Sequence, residues 1–233
     1  MAGIWLSARS AEAEWMDDAG QTESAFRAVL RDLEFLNRVT FGYRPTLNWL
    51  DALVARTGAT TLSVLDVGAG GGDTLRAIAR WGARRGVALE LTGLDRSPAA
   101  LAAARHMGTP GQWITTDVFD LPPEARFDLV ISSLFAHHLN DAELVRFLRW
   151  MQTHATQGWM INDIHRHAIS WCGLWAGTRL LRLDPIVVHD STVSVARAFK
   201  RDDWRRLARE AGVAARVEWQ MPFRWAVSSE RAN

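Results

Sequence analysis

The chain has 233 residues, 48% hydrophobic and 23% charged, with a net charge of +1. The apolar fraction suits one compact domain over residues 1–233, and the balanced charge gives no global field toward nucleic acid or an anionic membrane. Cys172 is the single cysteine, which excludes an internal disulfide and fits a reducing, cytoplasmic setting.

Met1–Ser10 lack a basic start and a long apolar run, so a signal peptide is not expected. No apolar stretch is long enough for stable membrane insertion, and no cysteine/histidine cluster has structural-zinc spacing, so no metal is expected. Residues before Glu14 show no period and are expected to be mobile. From Glu23 to Val39, Phe26, Val29, Leu30, Leu33, Leu36 and Val39 recur at helical spacing and give one apolar face. Gly42 ends that helix, Tyr43 and Arg44 sit in the break, and Pro45 starts a second helix that runs to Gly58. These residues form an N-terminal helical cap, 14–60.

A central α/β core is expected over 61–164. Leu62, Val64, Leu65 and Val67 suit a buried strand, followed by a glycine loop and a helix to about Arg85. Ala88–Leu94 reads as a second strand ending at Asp95. Ser97 and Pro98 open a helix, and Gln112–Thr116 and Phe127–Ser132 are the third and fourth strands. Asn140, with Glu143 at capping-box spacing, starts a long helix, and Trp159–Ile164 is a fifth strand. Strands alternating with helices call for a doubly wound, mostly parallel sheet with helices on both faces.

The alternation then breaks. Arg166–Leu183 reads as an extra apolar helix stopped by Pro185, with Ile186–Ala198 as a loop; together they form an inserted segment, 165–198. A helix ending at Gly212 and a hairpin around Pro222 fill 199–233 and bring the sheet to seven strands. Twelve tryptophans fit either bulky core packing or an aromatic-lined pocket.

The loop carries the functional signal. A dinucleotide fingerprint, G-x-G-x-x-G, begun at Gly68 would need glycine where Asp73 stands, and an acid there would repel a pyrophosphate. A phosphate loop needs Gly-Lys-Ser/Thr, and Lys200, far away, is the only lysine. The pattern is instead D-x-G-x-G-x-G, Asp66 to Gly72. It resembles the first motif of the class I, Rossmann-like S-adenosylmethionine-dependent methyltransferases of small-molecule type. The alternative is a glycine-rich turn that only links strand to helix.

The resemblance covers Leu62 to about Trp150 with motifs. It implies S-adenosyl-L-methionine as cofactor, S-adenosyl-L-homocysteine as product, and a site including Asp66, Gly68 and Gly70. Asp95 would bind the ribose, with Arg96 beside it. Asp117 would reach the adenine amine and Val118 the ring. Ser133 follows the fourth strand, and Arg44 would pair with the methionine carboxylate through its planar fork. Ligands of open parallel sheets sit at the carboxyl ends of the strands, where His137, His138, Asp163 and His165 are expected as the catalytic group. Trp171, Trp175 and His189 are expected to wall the substrate under a lid. Cys172 reads as packing, and His106, His154 and His167 as ordinary surface or core residues.

The reading favours O-methylation of a small aromatic or apolar acceptor. C- or N-methylation of a quinone or natural-product type substrate is the alternative, as are a nicotinamide dehydrogenase and a non-catalytic binding or assembly protein. A homodimer or membrane-touching surface on the apolar helix is also open.

Overall fold

In the computed structural model, which describes residues 6–17 and 23–230, the apolar run after the second helix forms β1 (Thr61–Val67). It pairs in parallel with β2 (Ala88–Asp95) on one side and β4 (Phe127–Ser133) on the other. A central parallel strand must be covered on both faces, which is why Leu62, Val64 and Leu65 are fully buried. β3 (Gln112–Thr115) and β5 (Ala155–Ile164) extend the parallel sheet, and β7 (Arg224–Glu230) runs antiparallel between β5 and β6 (Arg216–Gln220). The strand order is β3-β2-β1-β4-β5-β7-β6. The expected doubly wound, seven-stranded architecture is therefore what the chain adopts. Its strand order reverses beside β1, where open parallel sheets hold their ligands.

Each face has its own core. On one side α2 (Arg44–Thr57) and α3 (Asp73–Arg85) bring Trp49, Leu50, Leu53, Ile78 and Trp81 onto the sheet. On the other, α5 (Asp141–His154) and α8 (Arg201–Ala211) bring Phe147, Leu148, Met151, Trp204 and Leu207 against Trp159. The Asn140–Glu143 capping box starts α5 as expected. α1 (Glu23–Val39) packs on α4 (Pro98–His106) through Phe26, Leu30, Ala100 and Ala103. None of the helices among the described residues is long and apolar enough to cross a membrane.

Four expectations are corrected. The extra helix α6 is shorter, Ala168–Leu180, and the segment after it is a helix, α7 (Pro185–Arg197), not a loop. Pro185 begins a helix rather than only stopping one: Asp184 accepts the N–H of Ile186, and a proline in the first turn gives up an N–H that would lack a partner anyway. The segment before Glu14 is held, not loose. Arg9 donates to the carbonyls of Arg197, His137 and Leu139 and to Asp141, while Leu6 is buried; residues 1–5 lie outside the described residues. Cys172 is exposed on α6 instead of packed.

Candidate active site

The carboxyl ends of β1, β2, β4 and β5 open into one cavity of about 1300 Å³, roofed by α1, α6 and α7 and by residues 13–16. That exceeds the range of roughly 300–1,000 Å³ usual for a single small ligand, so it has room for two molecules. Its apolar wall comes from Phe26, Leu30, Leu33 and Leu36 of α1, Phe135, and Leu174 of α6. No tryptophan of the described residues lines it. The tryptophans instead pack, as Trp159 and Trp204 do in the core, or face solvent.

The glycine loop forms one end. Gly68, Gly70 and Gly72 have φ of +71°, +51° and +72°, a region L side chains rarely adopt, and a Cβ at Gly68 would lie 2.6 Å from the Phe135 ring. The loop's N–H groups are largely spent within the fold. Those of Gly68 and Ala69 reach Leu94 O, and that of Gly70 reaches Asp95 Oδ2 at 2.9 Å. Asp95 Oδ1 accepts from Ser97 N. The loop is thus braced from β2 and does not present an empty anion nest.

The charge around it is acidic. Asp66, Asp73, Asp95 and Asp117 all line the cavity. Asp66 is buried and its Oδ1 has no partner among the described residues, and burial, then Asp73 and Asp95, push its carboxyl well above the usual range. Burial also raises Asp95, against the two backbone donors. Asp73 Oδ2 accepts from Tyr43 Oη at 2.7 Å and Asn37 Nδ2 at 2.9 Å, two neutral donors that leave its charge in place. Burial and the charge of Asp73 raise the Tyr43 phenol.

Arg224 is a buried cation in this group. It lines the cavity, its Nη2 donates to Asn37 Oδ1 at 2.9 Å, and burial lowers its pKa against the pull of Asp163 and Asp73. Gly42 makes room for it, since a Cβ there would sit 2.7 Å from Nη2. Arg44, expected over a carboxylate, is instead exposed on α2 and lies over the Phe41 ring. Asp117 caps the turn at Phe119 N beside the buried Val118, while Arg96 and Ser133 also line the cavity.

The other end is a histidine–carboxylate cluster. His137, in the turn after β4, gives Nδ1–H to Asp163 Oδ1 at 2.7 Å, and its backbone N–H reaches Asp163 Oδ2 at 2.9 Å. Its Nε2 faces Glu14 Oε1 at 3.4 Å, and Nε2 of His138 lies 3.6 Å from Glu14 Oε2. Ser194 Oγ of α7 donates to Glu14 Oε1. Burial alone would lower the His137 pKa, but Asp163 and Glu14 outweigh it and raise it to about 10. Glu14 and Asp163 are both held low by His137, against the cost of burial. Arg9 and Arg197 clamp the turn by binding the carbonyls of His137, His138 and Leu139. Leu134, at its start, takes a φ of +55°, a strained backbone beside the site.

Four further residues expected at the site lie elsewhere. Trp171 and Trp175 stack on each other on the outer side of α6, whose cavity face is Ile169, Ser170, Gly173 and Leu174. His189 stacks on Trp15 at 3.8 Å and pairs with Asp190, away from the cavity. His165 is turned from it toward Trp225 and His167, and burial lowers its pKa to about 4. His137, His138 and Asp163 are brought together as expected. Glu14, Arg224 and the Tyr43–Asp73–Asn37 group escaped sequence reasoning. Asp73 and Tyr43, one at the odd position of the glycine loop and the other the chain's only tyrosine, are the signals that could have shown part of it.

Comparison with known proteins agrees with this geometry. A family described as methyltransferase domain matches residues 64–158, from β1 into β5. No curated protein sequence matches the chain. Among solved structures, the plantazolicin methyltransferase BamL, in complex with a triazolic desmethylPZN analog and SAH, aligns at a TM-score of 0.62 and 14% identity over 81% of this chain and 70% of that one. The plantazolicin methyltransferase BpumL, in complex with SAH, gives 0.64 and 12% over 88% and 94%. Magnesium protoporphyrin IX methyltransferase (ChlM) from Synechocystis PCC 6803, with bound SAH, gives 0.56 and 16% over 93% and 91%. At such identities the likeness is one of fold. Residues 64–158 match the methyltransferase-domain family, and the chain that carries them has the fold of the class I S-adenosylmethionine-dependent methyltransferases.

Proposed function

We propose that this chain transfers a methyl group from S-adenosylmethionine to a hydroxyl of a small acceptor held at the histidine end of the cavity. The observation that carries the cofactor is the unpartnered Oδ1 of buried Asp66 among the carboxylates of Asp73 and Asp95, beside a loop whose N–H groups are already used. Such a site disfavours a phosphate and favours a ligand bringing positive charge and hydroxyl donors. Asp95 would take the ribose, Asp117 and Val118 the adenine, and Arg224, in place of Arg44, the amino-acid carboxylate. Three structural neighbours carry SAH, which supports the choice of cofactor.

S-adenosylmethionine supplies an electrophilic methyl on a sulfonium. The chain's own residues supply alignment and dryness: α1, α6 and residues 13–16 cover the cavity, and holding a reacting pair in near-attack geometry is worth about 7–11 kcal/mol of barrier. His137, clamped between two carboxylates with its pKa raised to about 10, is a poor proton acceptor at neutral pH and serves to fix the turn. His138, which lines the cavity beside Glu14, would take the acceptor's proton, an effect of roughly 10²–10⁴-fold. The Leu, Ile and Phe wall favours an apolar acceptor. Single-turnover assays with labelled S-adenosylmethionine over a panel of phenols, hydroxyquinones and azole peptides test this. Methyl incorporation at oxygen is expected; transfer only to carbon or nitrogen would contradict the assignment of His138.

A further inference from the structure

We infer that Glu14, His137 and His138 form a binding site for one divalent transition-metal ion of the zinc type at the acceptor end of the cavity. Each offers one donor atom, and these atoms all lie within 4.8 Å of one another. The two imidazole nitrogens face the two oxygens of one carboxylate at 3.4 and 3.6 Å. Those separations are long for hydrogen bonds. Ligands that sit roughly 2.0–2.1 Å from a tetrahedral centre are about 3.4 Å apart, so with one oxygen of Glu14 counted and all three donor atoms within 4.8 Å, small side-chain shifts would bring them onto one ion.

The surroundings are those of a ligand set. Asp163 accepts from His137 Nδ1 at 2.7 Å, so an ion that displaces the Nε2 proton would find Nε2 directed toward Glu14, the usual outer-shell arrangement for a metal-bound imidazole. Ser194 Oγ holds Glu14 Oε1 at 2.8 Å, and Arg9 and Arg197 hold the backbone of the His137 turn. Glu14 and His137 are nearly inaccessible, at 4% and 2% exposure. All three residues line the cavity, so a fourth position faces the acceptor, as in zinc sites that do chemistry rather than hold structure. Two imidazoles with one carboxylate suit zinc, cobalt or iron(II) better than magnesium or calcium, which take oxygen sets. Sequence spacing could not show this site, because Glu14 arrives from the far N-terminal segment.

An ion there would bind the acceptor's oxygen and favour its deprotonated form, in place of His138 as proton acceptor. That role rests on the methyl-transfer reading; the binding does not. The test is titration of chelator-treated, full-length protein with zinc sulfate by calorimetry, and with cobalt chloride by visible absorption, alongside S-adenosylhomocysteine titration and a melting curve. One ion per chain is expected, with a tetrahedral cobalt spectrum. Glu14→Gln and His138→Gln should each weaken zinc binding at least tenfold, and Asp163→Asn should weaken it by about 10–100-fold, with S-adenosylhomocysteine affinity retained. Two glutamine variants keep the test open if one misfolds. Binding of much less than one equivalent, or binding unchanged in the folded variants, overturns the site. Loss of S-adenosylhomocysteine binding with zinc binding intact would instead count against the methyl-transfer reading alone.

Discussion

Asp163 accepts two hydrogen bonds from His137, from ring Nδ1 at 2.7 Å and from the backbone N–H at 2.9 Å. With Glu14 on the other side, the ring is held as an imidazolium and its pKa rises to about 10 although burial opposes it. A group whose folded pKa lies above its unfolded value, about 6.5 for histidine, stabilises fully below that value and loses the contribution as pH rises through the folded pKa. In chelator-treated protein the melting temperature should therefore fall from pH 7 to pH 10. Lys200 is the only lysine and Tyr43 the only tyrosine, the latter with a raised pKa, so few other groups titrate in this window. A flat melting temperature over that range would contradict the clamp.

Arg224 and Arg44 separate the observed site from the one the sequence suggested. Arg224→Met should weaken S-adenosylhomocysteine binding by about tenfold to a hundredfold, the scale of one or two charge-assisted hydrogen bonds. Arg44→Ala, on the exposed face of α2, should leave it unchanged. Calorimetry on both variants reads the difference directly, and the reverse pattern would restore Arg44.

The glycine loop gives a sharper contrast between binding and folding. Gly70 has φ +51°, and an added Cβ would stand 3.4 Å from Leu30 Cδ2. Gly70→Val adds branched bulk in a backbone region that L residues avoid, beside the ligand. Cofactor affinity should fall far more than the melting temperature. Normal affinity in this variant would make the loop a structural turn only.

On α6 the two faces should behave differently. Trp175 is 44% exposed and stacks on Trp171 outside the cavity. Trp175→Ala should change stability by about 0.5 kcal/mol or less and leave acceptor kinetics unaltered. Leu174→Ala widens the cavity wall and should raise the Michaelis constant for small acceptors while admitting bulkier ones. Steady-state kinetics over an acceptor panel distinguish the two.

What the sequence made legible follows period and punctuation. β1, the glycine loop and α3 were readable because an apolar run, four glycines and a polar helix start leave few arrangements, and Asn140 with Glu143 marked α5. α7 was missed because Val187, Val188, Val193 and Val195 are β-branched and Pro185 reads as a stop; the helix is set by the Asp184 cap and by packing of its buried Val187 and Val195. Arg44 was named and Arg224 missed because a resemblance points to a region, whereas the antiparallel insertion of β7 beside β5 brings a C-terminal residue to the cavity. Trp171 and Trp175 were misplaced because an all-round apolar helix does not reveal which face turns inward. Glu14 lay in a segment without pattern, and contacts with Arg9, Arg197, Asp190 and Ser194 fix its course.

The central claim is that the acidic pocket behind β1 and β2 binds S-adenosylmethionine, and Asp95 tests it most directly. Asp95→Asn keeps an acceptor for the N–H groups of Gly70 or Ser97 but removes the charge. Titration calorimetry of S-adenosylhomocysteine, with NAD as control, should show one site on the unaltered chain, no NAD binding, and a loss of about 1.5–3 kcal/mol in the variant at nearly the same melting temperature. Equal affinity in a folded Asp95→Asn chain, or NAD binding in preference to S-adenosylhomocysteine, would contradict it.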